Sequence, residues 1–411
     1  MKVYDVIIVG GGAAGFFTAI NIAENNPKLR ILILERGTDV LTKVRISGGG
    51  RCNVTHAEFS PKELTMNYPR GEKELLGPFH TFMTGDTIEW FEKRGVELKI
   101  EEDGRMFPIS DSSQTIIDCF ISETKRLGVK VFKGHLVQSI SQEDGNWILS
   151  TSEGDLTSEK LVLATGSNMK IWKLLEGLGH TVEAPVPSLF TFNIKDDRIA
   201  ELPGIALPAT VKILDAEGKN ILESDGPLLI THWGMSGPAI LKLSAWGARL
   251  LAPLNYMFRI NVNWLPDFSE EILISKLKEH KAENPKQNVS KYAQFDIPKR
   301  LWKSLVMASG IDESKKWADT TNVELQKLSN QLTGGIFEVS GKSTFKEEFV
   351  TAGGVNLKEV NFKTFESRIY KNLYFAGEVL NIDAITGGFN FQNAWTGGYM
   401  VARAITSSYQ K

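Results

Sequence analysis

Glycines stand at positions 10, 12 and 15, directly behind the apolar run 3–9, and twenty residues past the last of them Glu35 closes a second apolar run, 31–34. Gly10 permits a tight turn, Gly12 lets a pyrophosphate approach the backbone, and Gly15 lets a helix pack close to a strand. Glu35 stands where a carboxylate accepts from a ribose hydroxyl. A glycine triplet by itself is common in turns. Strand, glycines, helix, second strand and terminal acid in this order predict a bound dinucleotide.

Two further stretches carry chemistry of the same kind. Gly48, Gly49 and Gly50 are bracketed by Ser47, Arg51 and Asn53, with Lys43 just upstream. Three glycines in a row are poor helix and poor strand. The loop exposes backbone amides and carries a guanidinium toward anionic oxygens, so beside a dinucleotide unit it is expected to touch the cofactor before it is expected to be a free surface loop. Cys52 lacks a nearby partner and reads as a small buried residue before it reads as a reactive thiol. Near the end, the run 373–376 stops at Gly377-Glu378, and Gly387-Gly388 precede Phe389-Asn390-Phe391 and a helix-prone stretch, 393–405. Glu378 is placed to accept from a sugar-like chain, and the amides of Gly388 to Asn390 to stabilise charge developing on a ring carbonyl. The plainer alternative is that Glu378 caps the helix and the glycines only turn the chain. His232, beside Trp233, reads as structural before catalytic, although it would serve as a protonation switch.

The elements that must position these residues follow from periodicity. Helices are expected over 16–24, 86–94, from about 111 to 127, and over 239–251. The start near 111 is read as a capping box closed by Gln114, and Pro238 lies in the first turn of the helix at 239. Strands are expected at 129–132 and 160–163, with a hairpin of 136–141 and 147–151 around residues 143–146. Short strands at 190–194, 209–214, 228–231 and 256–263 suggest a mostly β insertion, a small barrel. Three helices, 269–283, 299–309 and 323–332, come after it, the last with Thr321 and Glu324 spaced as a capping box. The domain expectation is therefore 1–187 with 350–411, an insertion of 188–267 with 333–349, and a helical segment of 268–332.

Composition excludes several classes. The 411 residues hold 47 Lys plus Arg against 49 acids, which leaves no global positive field for nucleic acid or anionic membrane. The lysines of 276–299 read as a solvated helical face before a docking patch. No apolar run approaches the roughly 20 residues of a membrane span. Two cysteines, Cys52 and Cys119, make no disulfide framework. Cytoplasmic residence is the expectation, and no metal site is expected.

Taken together, the blocks at 9–15, 46–53 and 373–392, with 231–236 and 351–355, resemble the BaiN-like group of FAD-dependent oxidoreductases, also labelled the aminoacetone oxidase family. Nearly the whole chain takes part. The resemblance implies an α/β fold: a glutathione-reductase-like FAD Rossmann domain interrupted by a β-barrel domain that carries a small helical domain. It implies that Gly12, Ala13, Ala14 and Gly15 meet the pyrophosphate of FAD, and that Glu35, with Arg36 next to it, meets the adenosine ribose. The loop with Lys43, Ser47, Gly49, Gly50, Arg51, Cys52 and Asn53 would lie along the cofactor. Ala164, Thr165 and Gly166 would pack near it, Gly377 and Glu378 would hold the ribityl chain, and the strand around Val137 would touch adenine through its backbone. Phe389 stands where the group commonly has tyrosine, which removes a hydroxyl and keeps the ring.

Since flavin carries the hydride chemistry itself, the expected function is an oxidoreductase acting on a small enone-like or amine substrate, at the cleft between the FAD and inserted domains. NAD(P)H is expected as a transient donor, because no second glycine fingerprint follows a strand. His232 and Arg51 are the candidate proton donors. The alternatives are an RNA-associated flavoprotein, which the charge balance makes the lesser reading, and a protein whose flavin only stabilises the fold.

Overall fold

The structure is a computed structural model that describes residues 2–343 and 350–409. Its contacts divide it into two compact units, Met1–Val186 with Val350–Lys411, and Pro187–Phe349.

The first unit is built on a mixed sheet. Lys2–Val9, all apolar over its last four residues, lies at its centre with Ile31–Leu34 on one side and Gly154–Leu163 on the other, both parallel to it. Lys130–Phe132 continues the sheet beyond Ile31–Leu34, and Leu373–Phe375 continues it beyond Gly154–Leu163, again parallel. The register brings Val9, Leu34, Leu163 and Phe375 into one row across neighbouring strands, so four strands end together. Buried strands of this kind read as unbroken apolar runs, which is why they were legible.

An antiparallel hairpin, Val137–Glu143 with Asn146–Thr151, pairs with the first residues of Gly154–Leu163. Its two-residue turn holds Asp144 and Gly145 at φ 46° and 82°, the pairing that a primed turn demands. Ala13–Asn25 follows the first strand, starting three residues earlier than expected. It packs along Phe389–Ser408, where Gly398 leaves room: a Cβ there would lie 2.9 Å from Thr18 Oγ1. The helix expected from about 111 is Ser113–Arg126, and its start corrects the sequence reading. Ser112 is the cap, accepting from the Gln114 amide, while the Gln114 side chain turns to Arg45 and Asp118 and closes no capping box. The unit also holds a small sheet of Thr55–His56, Arg105–Pro108 and Leu98–Ile100.

The second unit contains a closed six-stranded barrel in the order Thr191–Ile194, Gly234–Ser236, Asn220–Thr231, Ala206–Leu214, Met257–Asn263, Gly335–Ser343. Gly335–Ser343 pairs back on Thr191–Ile194 and closes it. Pro238–Trp246 begins at Gly237 with proline in its first turn, and Gly247 separates it from Ala248–Leu251, where one helix was expected. Three helices, Glu270–Glu283, Lys299–Ala308 and Asn322–Thr333, share one apolar core with the barrel. The Thr321–Glu324 capping box on the last of them is formed. The expected boundary at 267/268 thus falls inside a single core. The expected barrel segment 333–349 lies partly outside the described residues, which stop at 343 before resuming at 350.

Candidate functional site

The first glycine turn, the segment from Ala164 and the segment from Ala376 meet at the ends of the four aligned strands. The Gly10 amide donates to Leu34 O at 2.8 Å, the Ala164 amide to Val9 O at 2.8 Å, and the Ala376 amide to Leu163 O at 3.1 Å. Gly10, at φ 116°, has no room for a side chain, because a Cβ would sit 2.3 Å from Ala164 O. A Cβ on Gly15 would sit 2.0 Å from Gly10 O, so the first turn of the helix lies directly on the strand end. Gly12 is the opposite case. It caps the helix with ordinary φ (−97°), has no side-chain cap and no acid in the turn that follows, and a Cβ on it would meet nothing within 4 Å. Ala13 and Ala14 keep that approach narrow in side-chain volume. The helix therefore offers its first amides to open space, which is what an anion needs.

Glu35 lies at the flank of this opening. One carboxylate oxygen accepts from the Gly11 amide (2.9 Å) and the other from the Gly37 amide (2.7 Å), which fixes the side chain beside the glycine turn. Arg36 is exposed. The chain from Phe132 to Val137 runs alongside, with the Glu35 amide donating to Phe132 O and the His135 amide to Glu35 O. Val137 itself begins the hairpin, its side chain buried. Across the opening, Thr165 Oγ1 is buried with no hydrogen-bond partner among the described residues, and Gly166 (φ 60°) lies against Glu378.

Glu378 joins the two sequence ends of the site. Its carboxylate holds the Lys43 ammonium at 2.6 Å, a contact across 335 residues, and that carboxylate raises the lysine above the ordinary ammonium range. Lys43 lies in the first turn of the segment Thr42–Gly50, which starts helical and breaks at Ser47. Gly48, Gly49 and Gly50 all take positive φ (58°, 67° and 85°), and a Cβ on Gly49 or Gly50 would meet nothing within 4 Å. The three-glycine loop is thus left-handed backbone, open at Gly49 and Gly50 and closed against the Phe107 ring at Gly48.

Arg51 points elsewhere. Its guanidinium pairs with Glu101 and Asp111 and lies 3.9 Å over the Phe107 ring. The anionic oxygens it reaches are those of its own chain. Lys99 and Arg51 together hold the Asp111 carboxyl below its usual range. Cys52 is buried at φ 62°, and burial pushes its thiol up to about 12, so it is a neutral group in the wall.

The start of Phe389–Ser408 is the second helix terminus of the site. With its amide oxygen toward the helix, Asn53 accepts from the Gly388 amide at 3.0 Å and donates to the Thr55 and Met106 carbonyls. The Tyr68 hydroxyl donates to Phe389 O at 2.6 Å. Asn390 binds Ala384 through both its amide groups (3.0 and 3.2 Å), and Arg70 forms a forked pair with the fully buried Asp383. Phe389 is buried and Phe391 half-buried, the latter stacked on Trp395. Gly377, at φ 74°, faces Ala14, where a Cβ would be 3.2 Å from the alanine methyl.

Sequence reasoning missed His56, Tyr68, and the Arg70–Asp383 pair. His56, Tyr68 and Arg70 lie outside the glycine blocks, and each meets its partner more than 310 residues away. His232 belongs to the second unit. It sits with Trp233 in the two-residue turn between Thr231 and Gly234, and both side chains are exposed, Trp233 by 60%.

A dinucleotide suits this arrangement: two helix starts, an open glycine, an orphaned hydroxyl and acids at either flank. No group of three or more His, Cys, Asp or Glu among the described residues could hold a metal ion. The fold and site define a Rossmann-type flavoprotein. The family model described as the HI0933-like protein Rossmann domain matches residues 4–404, and the chain belongs to that family. It is 29% identical to the ribosomal RNA dihydrouridine synthase of Escherichia coli (strain K12), covering 99% of both chains. It is 27% identical to the 3-dehydro-bile acid delta(4,6)-reductase of Clostridium scindens, covering 97% of this chain and 98% of that one. Among solved structures, 3-ketosteroid-delta4-(5alpha)-dehydrogenase from Rhodococcus jostii RHA1 superposes with a TM-score of 0.52 at 12% identity, over 100% of this chain and 97% of that one. The protein is accordingly an FAD-dependent oxidoreductase, and no helix among the described residues is long and apolar enough to cross a membrane.

Proposed function

We propose that this flavoenzyme saturates a carbon–carbon double bond conjugated to a carbonyl, with NAD(P)H as a donor that visits the flavin. The observation that carries the reading is the pair of full-length relatives. A dihydrouridine synthase and a 3-dehydro-bile acid delta(4,6)-reductase share no substrate, yet both names describe hydrogenation of a C=C beside a C=O. Uridine within ribosomal RNA is the first substrate to assay, because a second relative, from Haemophilus influenzae at 28% identity, carries the same name. This reverses the preference drawn from net charge. A balance near zero argues against a global field and leaves a local contact open. The bile-acid relative supports a small cyclic enone as the second reading.

FAD, when bound, supplies the hydride chemistry. In this proposal the chain's own groups do the holding. The amides after Gly12 bind the pyrophosphate, Glu35 accepts from the adenosine ribose, and Thr165, Gly377 and Glu378 line the ribityl chain. The open faces of Gly49 and Gly50 would leave room for the cofactor, and the first amides of Phe389–Ser408 would stabilise negative charge on its ring as a helix start does. Arg51, already neutralised by two carboxylates, fixes the loop and gives up no proton.

The test is anaerobic. Protein loaded with FAD is reduced by NADH or NADPH in a stopped-flow instrument, then mixed with unmodified ribosomal RNA or with a 3-oxo-Δ4 steroid. Reoxidation of the flavin together with a gain of two hydrogens in the RNA or the steroid supports the proposal. Reduced flavin that reoxidises with neither, and with no other conjugated enone, overturns it.

A further inference from the structure

His56 lies outside every glycine block, yet it is built into the second helix terminus. Its Nδ1 lies 3.0 Å from the Gly387 carbonyl, and because a carbonyl only accepts, Nδ1 carries the proton. The ring stacks on Phe389, with centroids 4.5 Å apart and planes at 29°. On its other side it is closed in by Gly104, where a Cβ would stand 2.6 Å from Nε2. Gly387 (φ 134°) and Gly388 (φ 96°) are pressed onto the same strand. A Cβ on Gly388 would be 2.5 Å from Thr55 O, and one on Gly387 would be 3.3 Å from His56 Nδ1. Asn53 holds the next amide, of Gly388, and Thr55 Oγ1 donates to Gln392 Oε1 at 2.6 Å one turn along. Residues 53–56 thus meet this helix start at Gly387, Gly388, Phe389 and Gln392, each more than 330 residues away in sequence.

We infer that His56 is a positioning residue for the flavin: through Gly387 and Phe389 it sets the direction in which the first amides of Phe389–Ser408 point. The inference rests on the proposed placement of the flavin ring at this terminus. A left-handed glycine pair does not hold one direction by itself, and preorganised donors stabilise charge only when they are fixed beforehand. The Nδ1–H bond to Gly387 supplies the fixing, and the stack on Phe389 prevents the ring from turning out of it.

The test separates the hydrogen bond from the stack. H56F keeps an aromatic ring against Phe389 and loses the donor. H56N keeps a donor near the Nδ1 position and loses the ring. FAD dissociation constant, flavin absorbance spectrum and midpoint potential are measured on each, with the melting temperature of the apoprotein as a control. The expected result is a Kd for FAD raised about tenfold in H56F, a midpoint potential moved to more negative values, and partial recovery of both in H56N. H56A with and without added imidazole reads the same point if phenylalanine is not accommodated, with imidazole restoring the spectrum. Wild-type Kd and potential in H56F, or no recovery in either H56N or imidazole-treated H56A, would overturn the inference. A flavin potential left unchanged by G388A as well as by H56F would instead remove the placement on which it rests.

Discussion

Gly10 and Gly12 are two residues apart, and a methyl group would do opposite things to them. At Gly10 it meets Ala164 O at 2.3 Å on a left-handed backbone, so G10A should cost about 2 kcal/mol or more of folding stability, seen as a lowered apoprotein melting temperature. At Gly12 it meets open space, so G12A should melt with wild type in the apo form and bind FAD at least tenfold more weakly by fluorescence titration. Equal effects on folding from the two changes would contradict the division between a packing glycine and a ligand-facing one. Cys52 makes a second case. Its thiol is held neutral by burial, with a value raised from 9.0 to about 12. The folded state therefore keeps its proton longer than the unfolded chain, and the stability this contributes is complete below pH 9 and falls as pH rises toward 12. C52A should flatten that part of the stability–pH curve relative to wild type. Iodoacetamide at pH 8 should leave Cys52 unmodified until the protein is unfolded.

At the scale of elements, stability and function come from different contacts. The box of Thr321 and Glu324 satisfies the start of Asn322–Thr333, and T321A should lower stability by about 1 kcal/mol in urea titration without altering the flavin spectrum. The pair of Lys43 and Glu378 is half in solvent on the lysine side, so K43A should change folding stability by no more than about 1 kcal/mol. These elements also mark how far a sequence carries. Parallel strands were legible because burial on both faces makes them continuous apolar runs, and the first glycine turn because Gly10 and Gly15 leave no room for a side chain where strand and helix meet. Two barrel strands were missed as strands for physical reasons. Gly234–Ser236 is only three residues long and opens with a glycine pressed onto Phe192, and Gly335–Ser343 begins straight after a helix and breaks its alternation with an exposed Ile336 and with Gly341 at φ 140°. His56 was illegible for another reason: a histidine on a two-residue strand has no period, and its partner is 331 residues away. Arg51 was legible as a cation seeking oxygens, but Glu101 and Asp111 are brought to it only by folding.

On the scale of the whole molecule, the two units have separate apolar cores. A ligand bound by one of them should raise the stability of that one alone, by about 2.7 kcal/mol at a hundredfold excess over Kd. Calorimetry of the apoprotein should therefore show two transitions, and added FAD should shift one of them upward. A single transition that moves as a whole would show the units to be coupled. The order of the chain has a consequence for synthesis. As the polypeptide leaves the ribosome, all of 187–343 is available to fold before Leu373–Phe375 and Phe389–Ser408 exist. The opening strand, helix and glycine turn must meanwhile wait, with the apolar face that will receive the last helix still bare. A nascent chain halted before residue 373 should thus possess a finished barrel and be unable to retain a coenzyme, which makes the late arrival of the carboxyl-terminal segment the moment at which the newborn protein acquires its colour.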